Sequence, residues 1–190
     1  MKKFSFKIRG AYNKISKLSD AEKARGVIVA SAGNHAQGVA FSAKLLNIKA
    51  TVVMPVTTPD TKVIAVRSYG AEIILHGDNF DQALDRCLAL QRTRNMVFIS
   101  PYDDLDIIAG QGTMGLEILQ QCNEPIDAIF VPVGGGGMIA GIIAVVKYLQ
   151  PDIKVIGVEP EDAASLTAAL KAKSRVKLEH VGIFADGVAV

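Results

Sequence analysis

The sequence predicts an α/β fold of mostly parallel strands, and three observations lead there. Short apolar, β-rich runs recur along the chain, helical patterns separate them, and two strand-to-helix junctions are built from glycine and small polar residues. Alternation of this kind is the signature of βαβ units, whose right-handed crossovers gather the C-terminal ends of the strands on one edge of the sheet. Ligands of such sheets collect on that edge.

Taken in order, Tyr12–Leu18 has helical spacing and stops near Ser19-Asp20-Ala21-Glu22, where a serine followed three residues later by a glutamate marks a fresh cap and a short helix. Val27–Ala30 is a buried strand, followed by a helix over Ala36–Leu46. Strands at Ala50–Met54 and Glu72–Leu75 alternate with helices at Lys62–Tyr69 and Phe80–Gln91, and a further strand is expected at Val97–Ser100. Turn residues at Pro101-Tyr102-Asp103-Asp104 break the pattern and mark a division near Ser100–Ile107. The helix Gln111–Gln121, the strand Ala128–Val133, the helix Met138–Leu149 and the strand Lys154–Val158 complete the alternation. Low-complexity tracts, linkers and repeats are not evident.

Composition narrows the function. The 190 residues are 49% hydrophobic and 21% charged, as in an ordinary globular chain. Twenty-one basic and 19 acidic side chains are well mixed, giving a net charge of +2 and no patch suited to nucleic acid or a membrane surface. Cys87 and Cys122 lack metal spacing, which points to a reducing, cytoplasmic setting. Met1-Lys2-Lys3 resembles the start of a signal peptide, but Lys7 and Arg9 interrupt any hydrophobic region. Ala128–Val146 is nineteen residues without a charge, yet Pro132 and four adjacent glycines make it a poor membrane span.

Three constellations carry chemistry. Gly134-Gly135-Gly136-Gly137 lies between a strand and a helix, where backbone N–H groups with no side chains in the way suit a phosphate. A plain glycine turn would need one or two glycines rather than four. Ser31-Ala-Gly-Asn-His-Ala-Gln-Gly38 packs a hydroxyl, an amide and an imidazole into another strand-to-helix turn, which suits a carboxylate better than a simple cap does. In Phe4-Ser-Phe-Lys-Ile-Arg-Gly10, Phe6 and Ile8 flank Lys7, so desolvation can lower its pKa and make it a nucleophile.

Ser5-Phe-Lys-Ile-Arg-Gly-Ala11, Ser31–Gly38, Ala109-Gly-Gln-Gly-Thr113, Gly134–Gly137 and Ala185-Asp-Gly-Val188 together resemble the blocks of the pyridoxal-phosphate serine/threonine dehydratases, above all the biosynthetic threonine dehydratases (threonine ammonia-lyases). The resemblance covers essentially the whole chain, in the expected order. It implies the tryptophan synthase β-subunit-like fold (fold type II), with twisted, mostly parallel sheets flanked by helices. It implies a large cofactor domain from 1–26 and 101–190, a small domain at 27–100 inserted within it, and no regulatory domain.

It also assigns roles. Lys7 would form the internal Schiff base with pyridoxal 5′-phosphate and later shuttle the α-proton. Phe6 would lie beside the pyridine ring, Asn34 would hydrogen-bond its 3′ oxygen, and Gly187 would approach from the far side. Gly134, Gly135, Gly136, Gly137 and Met138 would cradle the phosphate, while Ser31, Asn34 and His35 would hold the substrate carboxylate. The implied reaction is α,β-elimination of water from L-threonine to give 2-oxobutanoate and ammonia, and L-serine would give pyruvate. Related serine racemases carry a serine where this chain has Ala32, so elimination is favoured over racemisation. Some relatives bind a divalent cation through residues matching Glu159, Ala163 and Ser165; with serine as the third, no metal is expected and Glu159 reads as a capped or solvated carboxylate. Tyr102, Asp103 and Asp104 match a loop near the substrate hydroxyl, and His76 and His180 read as surface histidines.

Against the family pattern the chain looks incomplete at both ends, and Phe4 replaces a usual glycine. The expectation is a truncated product or subunit half, with weak stability, a homo-oligomer or a complementing chain. An inactive fragment is therefore the alternative function. A dinucleotide-binding oxidoreductase is a lesser one, since Gly135-x-Gly137-x-x-Ala140 and Glu159 fit the loose nucleotide-binding fingerprint.

Overall fold

The computed structural model describes residues 5–182, 184–185 and 187–188; Phe4 and Asp186, which the sequence blocks include, lie outside them. Contacts divide the chain at Ser100/Pro101 into two compact units.

The first unit is built on four parallel strands, β1 (Val27–Ala30), β2 (Ala50–Met54), β3 (Glu72–Leu75) and β4 (Val97–Phe98), in the order β3-β2-β1-β4. Val27 pairs with Ala50 and with Val97, and Thr51 with Glu72, so all four strands run the same way. β1 and β2 are buried at every position, as strands covered on both faces must be. One face meets α5 (Phe80–Arg94), where Ile28, Ala30 and Val53 pack against Ala83, Cys87 and Leu90. Burial pushes the Cys87 thiol up to about 12, so it is an inert core residue. α3 (Asn34–Leu45) packs on the same two strands, α1 (Lys7–Ser16) crosses α3, and α4 (Asp60–Arg67) packs beside α3 and β3. α2 (Asp20–Arg25) carries the expected capping box between Ser19 and Glu22. β4 stops two residues short of the expected Ser100.

The second unit pairs β5 (Ala128–Pro132) with β6 (Lys154–Val158) in parallel. Ile129 and Val131 join Ile139, Ile142, Val146 and Ile153 in its core, with Ile139, Ile142 and Val146 on α7 (Gly137–Leu149). α6 (Leu105–Gln121) crosses α7 so tightly that a Cβ at Gly112 would lie 3.0 Å from the Gly141 carbonyl oxygen. α6 starts six residues before the expected Gln111 because Asp104 caps it. A 3₁₀ turn at Glu161–Ala163 and α8 (Ser165–Ala172) were not foreseen. Ala128–Val146 is therefore a strand, a glycine turn and part of a thirteen-residue helix, and no helix among the described residues is long and apolar enough to cross a membrane.

Candidate functional site

In the first unit, β1 runs directly into Ser31. Its N–H bonds the Val53 carbonyl at 3.1 Å and its hydroxyl accepts the Gly33 N–H at 3.2 Å, so the turn is held from both sides. α3 then begins at Asn34, two residues before the expected Ala36. The earlier start places Asn34, His35 and Ala36 in the first turn, where N–H groups have no acceptor within the helix. The Gly33 cap supplies no side-chain oxygen and the first turn no acid. Elsewhere α2, α4, α5 and α6 carry an acidic residue in the first turn. α1, α3 and α7 have neither an acid in the first turn nor a side-chain cap from the N-cap residue.

His35 is buried, and its Nε2–H donates to the Ile99 carbonyl at 3.0 Å. Its Nδ1 is buried without a partner. Burial, against the pull of the Ile99 bond and reinforced by the Lys7 charge, lowers its pKa to about 4, so the ring is neutral. A neutral ring with Nε2–H committed to a carbonyl offers nothing to an anion. What His35 can offer is its backbone N–H. The Asn34 side chain is exposed at the mouth of the same turn.

α1 begins at Lys7, five residues before the expected Tyr12, so the lysine occupies the first position of a helix. Its N–H donates to Ser5 Oγ at 3.3 Å and its Nζ lies 5.4 Å from the centroid of the Phe6 ring. Burial lowers its pKa from the ordinary 10.5 to about 8. The crossing of α1 and α3 depends on Gly38, where a Cβ would sit 3.1 Å from the Lys7 carbonyl carbon. Lys7, Phe6, Ser31, Asn34 and His35 thus belong to one unit.

Gly134, Gly135, Gly136, Gly137, Met138 and Gly187 belong to the other. β5 leads through the glycine turn into α7, whose cap, Gly136, has φ +81° and ψ −13°, a left-handed conformation costly for any residue with a Cβ. Gly137, Met138 and Ile139 fill the first turn, and their N–H groups have no intrahelical acceptor. The backbone of Val188 lies against Gly134, a Cβ there falling 3.1 Å from Val188 Cα, so Val188 borders the glycine turn. Tyr102 lies against the same turn.

Glu159 has a structural task. Its carboxylate accepts the Leu166 and Thr167 N–H groups at 2.8 Å each and the Thr167 hydroxyl at 2.6 Å, capping α8. It is therefore committed, and a ribose-binding role for it loses its basis. Ala163 is buried and Ser165 begins α8; no group of three or more His, Cys, Asp or Glu side chains suited to a metal occurs among the described residues. His76 and His180 are exposed. Sequence reasoning placed Gly38 and Tyr102 in matching blocks but gave neither an individual role; each is in close approach to a neighbouring segment, which only the tertiary structure displays.

Comparison with known proteins gives the family and the fold. The family described as pyridoxal-phosphate dependent enzymes matches residues 3–190. The chain is 58% identical over 186 residues to the biosynthetic L-threonine dehydratase of Pasteurella multocida, covering 98% of this chain and 36% of that protein. The processed threonine deaminase isoform 2 of Solanum lycopersicum superposes with a TM-score of 0.96 at 52% identity, covering 98% of this chain and 54% of that one. Maize serine racemase superposes with a TM-score of 0.92 at 38% identity, covering 97% and 56%. The chain spans about a third of the length of the curated relatives it matches and shares the fold of the fold type II enzymes. With the family match running from residue 3 to residue 190, the chain belongs to the pyridoxal-phosphate-dependent enzymes.

Proposed function

We propose that this chain forms the core of an enzyme that eliminates water from L-threonine to give 2-oxobutanoate and ammonia, with L-serine giving pyruvate by the same route. The activity is proposed for the whole protein, of which relatives are longer. The observation that carries the reading is Lys7, a lysine at a helix start whose burial brings its pKa to about 8. The residues fit the cofactor: a neutralisable amine answers its carbonyl, and a left-handed glycine turn with uncapped N–H groups answers its phosphate.

When bound, pyridoxal phosphate supplies the electron sink for charge developing at the substrate α-carbon. Lys7 offers Nζ first as the attaching amine and then as the base that moves the α-proton. At pH 7 a pKa of about 8 leaves roughly one lysine in ten neutral, against about one in three thousand for an ordinary lysine. Phe6, whose ring centroid is 5.4 Å from that nitrogen, would lie beside the bound cofactor. Gly134–Met138 would hold the phosphate through backbone N–H groups, and Gly187 would border the cofactor. Ser31 orients its turn, and the N–H groups of Asn34 and His35 bind the carboxylate, with the Asn34 amide left for the ring oxygen. Ala32 has no hydroxyl to act as a second acid, which favours elimination over racemisation.

The division into a large domain of 1–26 with 101–190 and an inserted small domain at 27–100 is proposed likewise, as are a cytoplasmic setting and a homo-oligomer or complementing chain. The test is a pyridoxal-phosphate titration followed by borohydride reduction and peptide mapping. A visible absorbance band with the pyridoxyl group on Lys7, and 2-oxobutanoate formed from threonine, are expected. Labelling scattered over many lysines would sink the reading; labelling of Lys7 without turnover would assign this chain binding alone.

A further inference from the structure

The loop Pro101–Asp104 is pinned at its end. Asp104 Oδ1 accepts the N–H groups of Asp106 at 2.9 Å and Ile107 at 3.2 Å, and Asp103 pairs with Arg175 at 2.7 Å. Just before these anchors, Tyr102 lies directly on the glycine turn. A Cβ at Gly135 would fall inside the Tyr102 ring, against its Cγ, Cδ1 and Cε1 atoms. A Cβ at Gly137 would sit 2.6 Å from the Tyr102 carbonyl oxygen and 2.9 Å from its Cα. At Gly136 a Cβ would meet nothing. Two of the four glycines are thus demanded by Tyr102, and only Gly136 by its own backbone conformation.

From this juxtaposition we infer that Tyr102 is a positioning residue for phosphate binding, its ring and backbone holding residues 134–137 in the arrangement that aims their N–H groups at one point. Glycine has more conformational freedom to lose than any other residue, so a run of four left uncovered would sample many arrangements that bind no anion. The ring of Tyr102 removes that freedom before the ligand arrives, and preorganisation of this kind raises affinity without adding a contact. The inference rests on the reading that this turn holds the cofactor's phosphate. It identifies the missing partner of the motif: four glycines specify a loop that can bind, and the tyrosine specifies which loop it is.

The test compares dissociation constants of the 190-residue chain for pyridoxal phosphate and for pyridoxal, measured by absorbance titration; their ratio isolates the phosphate. The native chain should prefer the phosphorylated form by about a hundredfold or more, and Tyr102→Ala should cut that preference about tenfold. Tyr102→Phe should keep it, because the ring and not the hydroxyl covers Gly135. Gly135→Ala should abolish the preference in the native background and recover part of it beside Tyr102→Ala, where the ring is gone. A native preference that survives Tyr102→Ala overturns the inference alone. Absence of any preference in the native chain overturns the phosphate reading and the inference with it. Should circular dichroism show Tyr102→Ala unfolded, Tyr102→Leu reads the same ratio, and a full preference with leucine overturns the role of the ring.

Discussion

Lys7 and His35 owe their chemistry to the same cause, which is burial. For Lys7 the folded pKa of about 8 lies below the ordinary 10.5, so the folded state releases its proton first. Stability lost to burying that charge is fully lost below about pH 8 and recovered as pH rises toward 10.5. Acetylation of Lys7, followed by mass mapping, should therefore rise with a midpoint near pH 8, and a midpoint at the ordinary lysine value would contradict the burial argument. His35 is also depressed, from 6.5 to about 4, and buried neutral. Its contribution is present above pH 6.5 and lost as pH falls toward 4, at about 1.4 kcal/mol per unit and so about 3 kcal/mol in all. Urea unfolding across that window should show the loss, and His35→Gln, which can still donate to Ile99, should flatten it.

At the scale of elements, the approach of α1 to α3 decides where Lys7 stands. Gly38 is inside α3, where alanine would raise helix propensity by about 1 kcal/mol. The new methyl group would meet Lys7 and Ile8 backbone atoms at 3.1–3.2 Å, and backbone cannot swing aside as a side chain can. Overpacking of this kind costs about 1–3 kcal/mol. Gly38→Ala should therefore be destabilising by up to about 2 kcal/mol in urea and should weaken pyridoxal attachment at Lys7. A stabilised variant with unchanged attachment would show that the crossing has slack.

For the molecule as a whole, a ligand that binds only the folded state adds stability by mass action. Pyridoxal phosphate at a hundred times its dissociation constant should add about 2.7 kcal/mol, visible as a rise in thermal midpoint that reverses on dialysis. Pyridoxal at the same concentration should give less, and inorganic phosphate alone a measurable part, since the uncapped α7 turn responds to the anion. Equal midpoints with and without the cofactor would mean that the folded chain does not bind it.

Much of the fold was legible from short apolar, β-branched runs: β1 and β2, buried at every position, have the expected bounds, and so do the more exposed β3 and β6. The starts of α1 and α6 were not legible: Phe6 gives no capping signal before Lys7, and Asp104 reads as a turn residue until its carboxylate is seen on the Asp106 and Ile107 N–H groups. α8 was missed because its cap, Glu159, comes from the end of β6 rather than from its own first turn. By itself the sequence determined the alternation of strand and helix, the two strand-to-helix turns of small and polar residues and the lysine block, since each is written in contiguous residues. Only the tertiary structure decided that His35 turns its ring to Ile99, that Gly38 admits the Lys7 backbone and that Tyr102 lies on Gly135. These are contacts between residues far apart in the chain, and steric exclusion at 3 Å leaves no periodicity for a sequence to show.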